Sequence, residues 1–219
     1  MSDKEDSEKM TVSDSVRRGF VHILVGDVSS ALERVESSDT DGHRREAVRT
    51  MFAAIEGLVW VYREHVRVVA DDLGFVTPLL DLALQEKTYN VSDRGDLIEL
   101  TRFITLPSMV RLSTGLAEKA FPPFKADFSH VGWSKLKKAI IVRNRLTHPK
   151  GVADLKIDQD ELLTVRSGFY WLLALAIEMM DAAKTALADF NEQAHEILEA
   201  LKAGDANALA EYRSAMADN

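Results

Sequence analysis

The chain contains no cysteine. That absence removes disulfides, thiolate nucleophiles and cysteine-ligated zinc, and it fits a reducing, cytoplasmic setting. Proline is scarce, with five in 219 residues. Long helices are therefore permitted almost everywhere, and Pro78, Pro107, the Pro122-Pro123 pair and Pro149 act as punctuation. No stretch approaches the ~20 uninterrupted apolar residues of a membrane span. The longest, Phe169 to Ile177, reads as one buried helix flank. Met1 to Asp14 is polar and mixed in charge, so neither a signal peptide nor an anchor is expected there. No Gly-rich phosphate loop, Walker motif, nucleophile elbow or HExxH occurs.

What is present is helical periodicity nearly throughout, and no convincing strand. With 46% apolar residues the chain has enough to bury a full core. A first helix is expected over about 13–36, with Val16, Phe20, Ile23, Leu24, Val28, Ala31, Leu32 and Val35 on one stripe. A second is expected over 44–72, ending near Gly74, and a third over 77–89 opened by Thr77-Pro78. Residues 93–120 read as a helix bent at Pro107, or two meeting there. A further helix is expected over 134–147, and Asp158-x-x-Glu161 is a capping box opening another that runs to about Asp189. One or two more follow from Phe190, broken at Gly204-Asp205. The expected architecture is all-α, a helical bundle of about six to eight helices. Residues 1–13 are expected to be a disordered segment, 14–203 the bundle, and 204–219 a C-terminal helix or tail.

Charge is unevenly distributed. The formal net charge is −8, yet no Asp or Glu falls between Asp127 and Asp154. That window holds Lys135, Lys137, Lys138, Arg143, Arg145 and Lys150, six cations that leave about −14 on the rest of the chain. An acidic protein with a pI near 5.3 is not a general nucleic-acid coat. One focused cationic strip still suits an enzyme that handles an RNA phosphate.

Within the strip lies Val142-Arg143-Asn144-Arg145-Leu146-Thr147-His148-Pro149. The Arg-to-His spacing recurs at Arg17 and His22. The second occurrence differs in having Asn after the Arg, in closing a helix with its His, and in its acid-free sequence neighbourhood. Asn144 and His148 are four apart, so a helix places them on one face and lets the amide orient the imidazole. Pro149 disfavours the α conformation at His148, so the helix should end there.

This pattern of Arg, polar residue, then His resembles the HEPN superfamily of helical-bundle proteins, with Asn144 in the favoured polar slot. The resemblance covers the motif helix specifically and the all-α architecture loosely. It implies a metal-independent endoribonuclease of stress, defence or toxin–antitoxin type, cytoplasmic and needing no cofactor or metal. It also implies a homodimer in which two motif helices form one composite site, with an antitoxin or regulatory protein as further partner. Some toxin members carry a modified tyrosine two residues past the His; here that residue is Lys150, so that regulation is not expected.

The chemistry stands without the family. RNA supplies its own nucleophile, the 2′-OH, so cleavage requires a base, an acid for the leaving 5′-oxygen, and a cation on the phosphorane. His148 is the expected acid or base, Arg143 the phosphate clamp, and Asn144 the residue that holds the imidazole or contacts phosphate. One His does not easily fill both proton-transfer roles, which makes a second copy attractive. The products are a 2′,3′-cyclic phosphate and a 5′-hydroxyl. Arg145, Lys135, Lys138 and Lys150 are the expected RNA contacts.

Other readings compete. Arg143 and His148 could be an ordinary helix end favoured by the macrodipole. A catalytically silent helical module, binding a nucleotide, nucleic acid or protein partner through the strip, gives the same sequence. Glu192-x-x-His195 and Asp127-x-x-His130 lack the paired geometry of a helical metal site. Trp60 and Trp171 read as core rather than base-stacking platforms, Trp133 at the start of the motif helix fits either role, and His65 reads as a helix-surface residue.

Overall fold

A computed structural model describes the backbone of residues 2–217, with side chains described for residues 19–210 and 213. The described residues form seven α-helices: α1 (Ser2–Ser37), α2 (Asp41–Asp72), α3 (Pro78–Leu84), α4 (Leu106–Ala120), α5 (Val131–Thr147), α6 (Gln159–Lys202) and α7 (Ala206–Ala217). The protein is an all-α helical bundle with one small β-hairpin inserted between α3 and α4. The disordered segment expected over residues 1–13 lies outside the residues whose side chains are described.

Helix boundaries follow local chemistry. Thr40 caps α2 by accepting from the His43 amide at 3.2 Å. Past its C-terminus Gly74 takes a positive φ of 78°, and the Phe75 amide donates back to Ala70 O, closing the helix as a glycine stop does. The capping box at Asp158 and Glu161 is formed: the Glu161 amide donates to Asp158 Oδ1 at 2.8 Å, and the Asp158 amide donates to Glu161 Oε2 at 3.3 Å. From there α6 runs unbroken past Asp189 to Lys202, longer than expected. The break before α7 falls at Gly204, again with positive φ.

Two expectations are overturned between residues 85 and 107. The chain forms strands β1 (Lys87–Val91) and β2 (Leu97–Thr101), paired antiparallel with Tyr89 opposite Glu99. The connecting Ser92-Asp93-Arg94-Gly95-Asp96 is a turn sequence, with Gly95 at positive φ and the Ser92 hydroxyl accepting from the Arg94 and Asp96 amides. Pro107 does not bend a helix. Thr105 caps α4 and Pro107 lies in its first turn, where a missing amide costs nothing.

The core is built on α2 and α6. Met51, Ile55, Leu58 and Tyr62 of α2 are fully buried, as are Val165, Phe169, Leu172 and Met179 of α6. Tyr62 hydroxyl meets Thr114 Oγ1, whose own proton goes to Val110 O at 2.6 Å. Burial raises the Tyr62 phenol well above its ordinary range. Tyr62→Phe leaves the Thr114 bond to Val110 intact, so a loss of about 1 kcal/mol is expected by urea denaturation. By length and composition α6 is the one helix among the described residues able to cross a membrane, but 44% of its most apolar window is buried inside the bundle.

Gly168 brings α6 against α5. A Cβ there would sit 2.8 Å from Leu136 Cα and 2.9 Å from Leu136 N. Gly132, in the first turn of α5, lies so close to Trp171 that no Cβ fits. These two contacts fix the helix that carries the Arg-Asn-His motif.

Candidate functional site

The motif helix begins at His130. Its Nδ1 accepts from the Gly132 amide at 3.0 Å, so this histidine serves as the helix N-cap. Just before it, the Asp127 carboxylate accepts from the Ser129 hydroxyl and amide, bonds that hold its pKa below the ordinary carboxylate range. Among the described residues no group of three or more His, Cys, Asp or Glu is placed to hold a metal.

Trp133 is buried beside Phe128 and Trp171, with ring centroids 5.0 and 5.5 Å away. Arg111 lies 3.9 Å over the Phe128 ring and Lys137 5.6 Å over the Trp133 ring. Trp133 and Trp171 thus pack in the molecule, whereas Trp60 is half exposed, edge-on to Phe20.

The helix ends where expected. His148 is the C-cap; its amide donates to Asn144 O at 3.0 Å, and Pro149 follows. The His148 ring is exposed and has no hydrogen-bond partner among the described residues. Asn144 does not orient it: Asn144 Oδ1 accepts from Arg143 Nη1 at 3.2 Å. Arg143 also forms an ion pair with Glu56 of α2 and lies 5.9 Å from the centre of the Phe52 ring. Arg143 and Asn144 border a cleft of about 780 Å³ with Glu56, Trp60, Arg63, Glu86 and Phe103. That volume suits a nucleotide-sized group.

The acid-free window in sequence is not acid-free in space. Glu56 meets Arg143, and Glu161 of α6 accepts from Arg145 Nη2 with both oxygens, at 2.6 and 2.7 Å. Arg145 also reaches Ala153 O. Its guanidinium is committed to joining α5, α6 and the 3₁₀ turn Val152–Leu155. Arg145→Ala is therefore expected to lower stability by about 1 kcal/mol, after solvent screening of a partly exposed pair, while leaving RNA affinity nearly unchanged. Thermal denaturation and filter binding separate the two.

Lys135 Nζ donates to Thr164 Oγ1 at 3.2 Å, a second α5–α6 tie. Lys138 is exposed and without a partner among the described residues. Lys150 is exposed, and its amide and that of Gly151 donate to Asp154 Oδ2. Of the four expected RNA-contacting cations, Lys138 and Lys150 keep uncommitted side chains and Arg145 and Lys135 do not.

Ile141 was missed from sequence. It is 69% exposed at the middle of α5. It lies seven positions from both Ser134 and His148, two helical turns each way, so the outward face runs Ser134, Lys138, Ile141, Asn144 and on to the C-cap His148. No protein-family model matches this chain, and neither does any curated protein or solved structure.

Proposed function

We propose that this protein is a metal-independent endoribonuclease of HEPN type, working as a homodimer. The observation that carries this reading is the outward face of α5, where bare Ile141 lies between Lys138 on one side and Asn144 and His148 on the other. A large apolar side chain in a row of polar ones suits packing against the same helix of a second copy. With the two helices side by side and running the same way, that packing sets two His148 rings at one end of the pair, one to take the 2′-OH proton and one to protonate the leaving 5′-oxygen. Arg143 supplies positive charge to the phosphorane. Glu56 is a positioning residue: it anchors the guanidinium and leaves further N–H donors for phosphate oxygens.

Two results test this. Ile141→Asp exposes a charge where the copies meet, and both dimer and cleavage should be lost at least about 100-fold while the helical circular dichroism stays unchanged. Cleavage retained by a folded monomeric Ile141→Asp protein contradicts the composite site. Glu56→Gln, in a His148→Ala background that binds without cutting, should tighten RNA binding by roughly 3- to 10-fold, because the carboxylate no longer competes with phosphate for Arg143. Unchanged binding would mean that Arg143 does not contact RNA, and weaker binding that Glu56 is needed to hold the guanidinium in place.

A further inference from the structure

Phe103 is 87% exposed, the most exposed large apolar side chain among the described residues. Its backbone is nevertheless pinned on both sides. The Arg102 amide donates to Glu86 O at 2.7 Å, and the Ile104 amide donates to Glu86 Oε1 at 2.8 Å. Glu86 is held in turn by Arg63 Nη1, 3.2 Å from its Oε2. Among the described non-glycine residues Glu86 alone takes a positive φ, of 55°. Such backbone is strained, and strain of this kind concentrates at ligand sites. The anchor and the strain together keep a bare phenyl ring at a fixed place outside the core.

That place is the cleft bordered by Arg143 and Asn144, which Phe103 lines together with the half-exposed Trp60. Glu56, the ion-pair partner of Arg143, and Trp60 are four residues apart on α2. They are therefore about one turn, or about 6 Å, apart along the helix. A single nucleotide spans that separation between its phosphate and its base. The cleft's other cation, Arg63, is only 12% exposed and lies between Glu64 and Glu86, at 3.3 and 3.2 Å. Arg143 meets one carboxylate and is 37% exposed, so it is the guanidinium that a phosphate can reach.

We infer that this cleft is a base-stacking subsite, in which one unpaired nucleotide of an RNA strand stacks its base on Trp60 and Phe103 and sets its phosphate on Arg143. Composition favours that occupant. Four charged side chains, Glu56, Arg63, Glu86 and Arg143, share the cleft with the two rings. The apolar face of a protein helix would strip water from those charges without replacing it. A nucleotide offers a flat ring for the aromatics, hydroxyl and amino donors for the carboxylates, and an anion for Arg143. In a duplex the bases are stacked on each other, so the subsite selects single-stranded RNA. Every base has a π-face, so the selection is for an unpaired base rather than for one base identity. The inference deepens the ribonuclease reading and rests on it for the phosphate at Arg143.

Tryptophan fluorescence tests this directly, because Trp60 is the exposed member of the three tryptophans. The His148→Ala protein is titrated with a short single-stranded oligoribonucleotide, and separately with the same strand annealed to its complement. The single strand should quench the emission and the duplex should not, and Trp60→Leu should remove the quench. Trp60→Leu and Phe103→Ala, each made in the His148→Ala protein, should weaken single-strand binding by roughly 5- to 100-fold. Phe103 lies outside the core, so its removal leaves the helical spectrum and the melting temperature unchanged. With His148 restored, Phe103→Ala should raise KM for single-stranded RNA and change kcat less. No quench at saturating strand, equal affinity for the duplex, or variants that bind as tightly as their parent each overturn the subsite. Quenching and weakened variants in a protein that never cuts RNA keep the subsite and remove the ribonuclease. Cutting with KM unchanged in Phe103→Ala and Trp60→Leu keeps the ribonuclease and removes the subsite.

Discussion

His148→Ala is expected to abolish RNA cleavage, by at least about 100-fold, while barely altering stability. The two effects separate because of where the ring lies. A positioned acid–base group contributes on the order of 10²–10⁴ in rate. The same ring, exposed and without a partner among the described residues, has only its interaction with the helix end to lose, about 0.3–1 kcal/mol at most. The His148 amide keeps its bond to Asn144 O in the alanine protein, so α5 still ends at the same residue. Denaturation in urea and cleavage of labelled RNA, measured on one preparation, give both numbers. A clear fall in stability with cleavage unchanged would make His148 a helix cap and nothing more.

The largest structural effect is expected from Gly168→Ala. A Cβ at 2.8 Å from Leu136 Cα meets backbone, which cannot rotate aside, so α5 and α6 must separate. Overpacking of this kind typically costs about 1–3 kcal/mol, and more where backbone must move. The displacement also shifts Arg145 from Glu161 and Lys135 from Thr164, the polar ties across the same helix pair. The expected outcome is a fall in melting temperature of several degrees, with cleavage reduced in the fraction that remains folded. A fully stable Gly168→Ala protein would show that the two helices are not in close contact there. Gly115, with open space around its Cβ direction, serves as the control, and Gly115→Ala should be neutral or slightly stabilising.

Much of the frame is legible in the chain because its signals are local. The apolar stripe of α2, the glycine stop at Gly74, the box at Asp158-x-x-Glu161 and the end at His148-Pro149 each depend on residues within one or two turns. The hairpin was missed although its signal is also local. Leu97-Ile98-Glu99-Leu100 fits a helix stripe as well as a strand, and the turn Ser92–Asp96 decides between them. Thr105-Leu106-Pro107 carries the same opening chemistry as Thr77-Pro78, and reading both alike places the start of α4 correctly.

The site divides along the same line. That Arg143, Asn144 and His148 share one helix end follows from spacing. The partners of the motif do not, because they are distant in sequence: Glu56 lies 87 residues before Arg143, and Glu161 reaches Arg145 only through the packing of α6 on α5. A window without acids says nothing about the acids that tertiary packing brings to it. Ile141 was hidden for the same reason, since an apolar residue in a helix is expected to face the core until the neighbouring helices are placed.

The most direct test of the central claim is cleavage of total RNA and tRNA by the purified wild-type protein in EDTA, with the ends of the fragments mapped chemically. Fragments bearing 2′,3′-cyclic phosphates and 5′-hydroxyls, absent with Arg143→Ala and His148→Ala, are the predicted result. RNA left intact under those conditions, or cut identically by both variants, would contradict it.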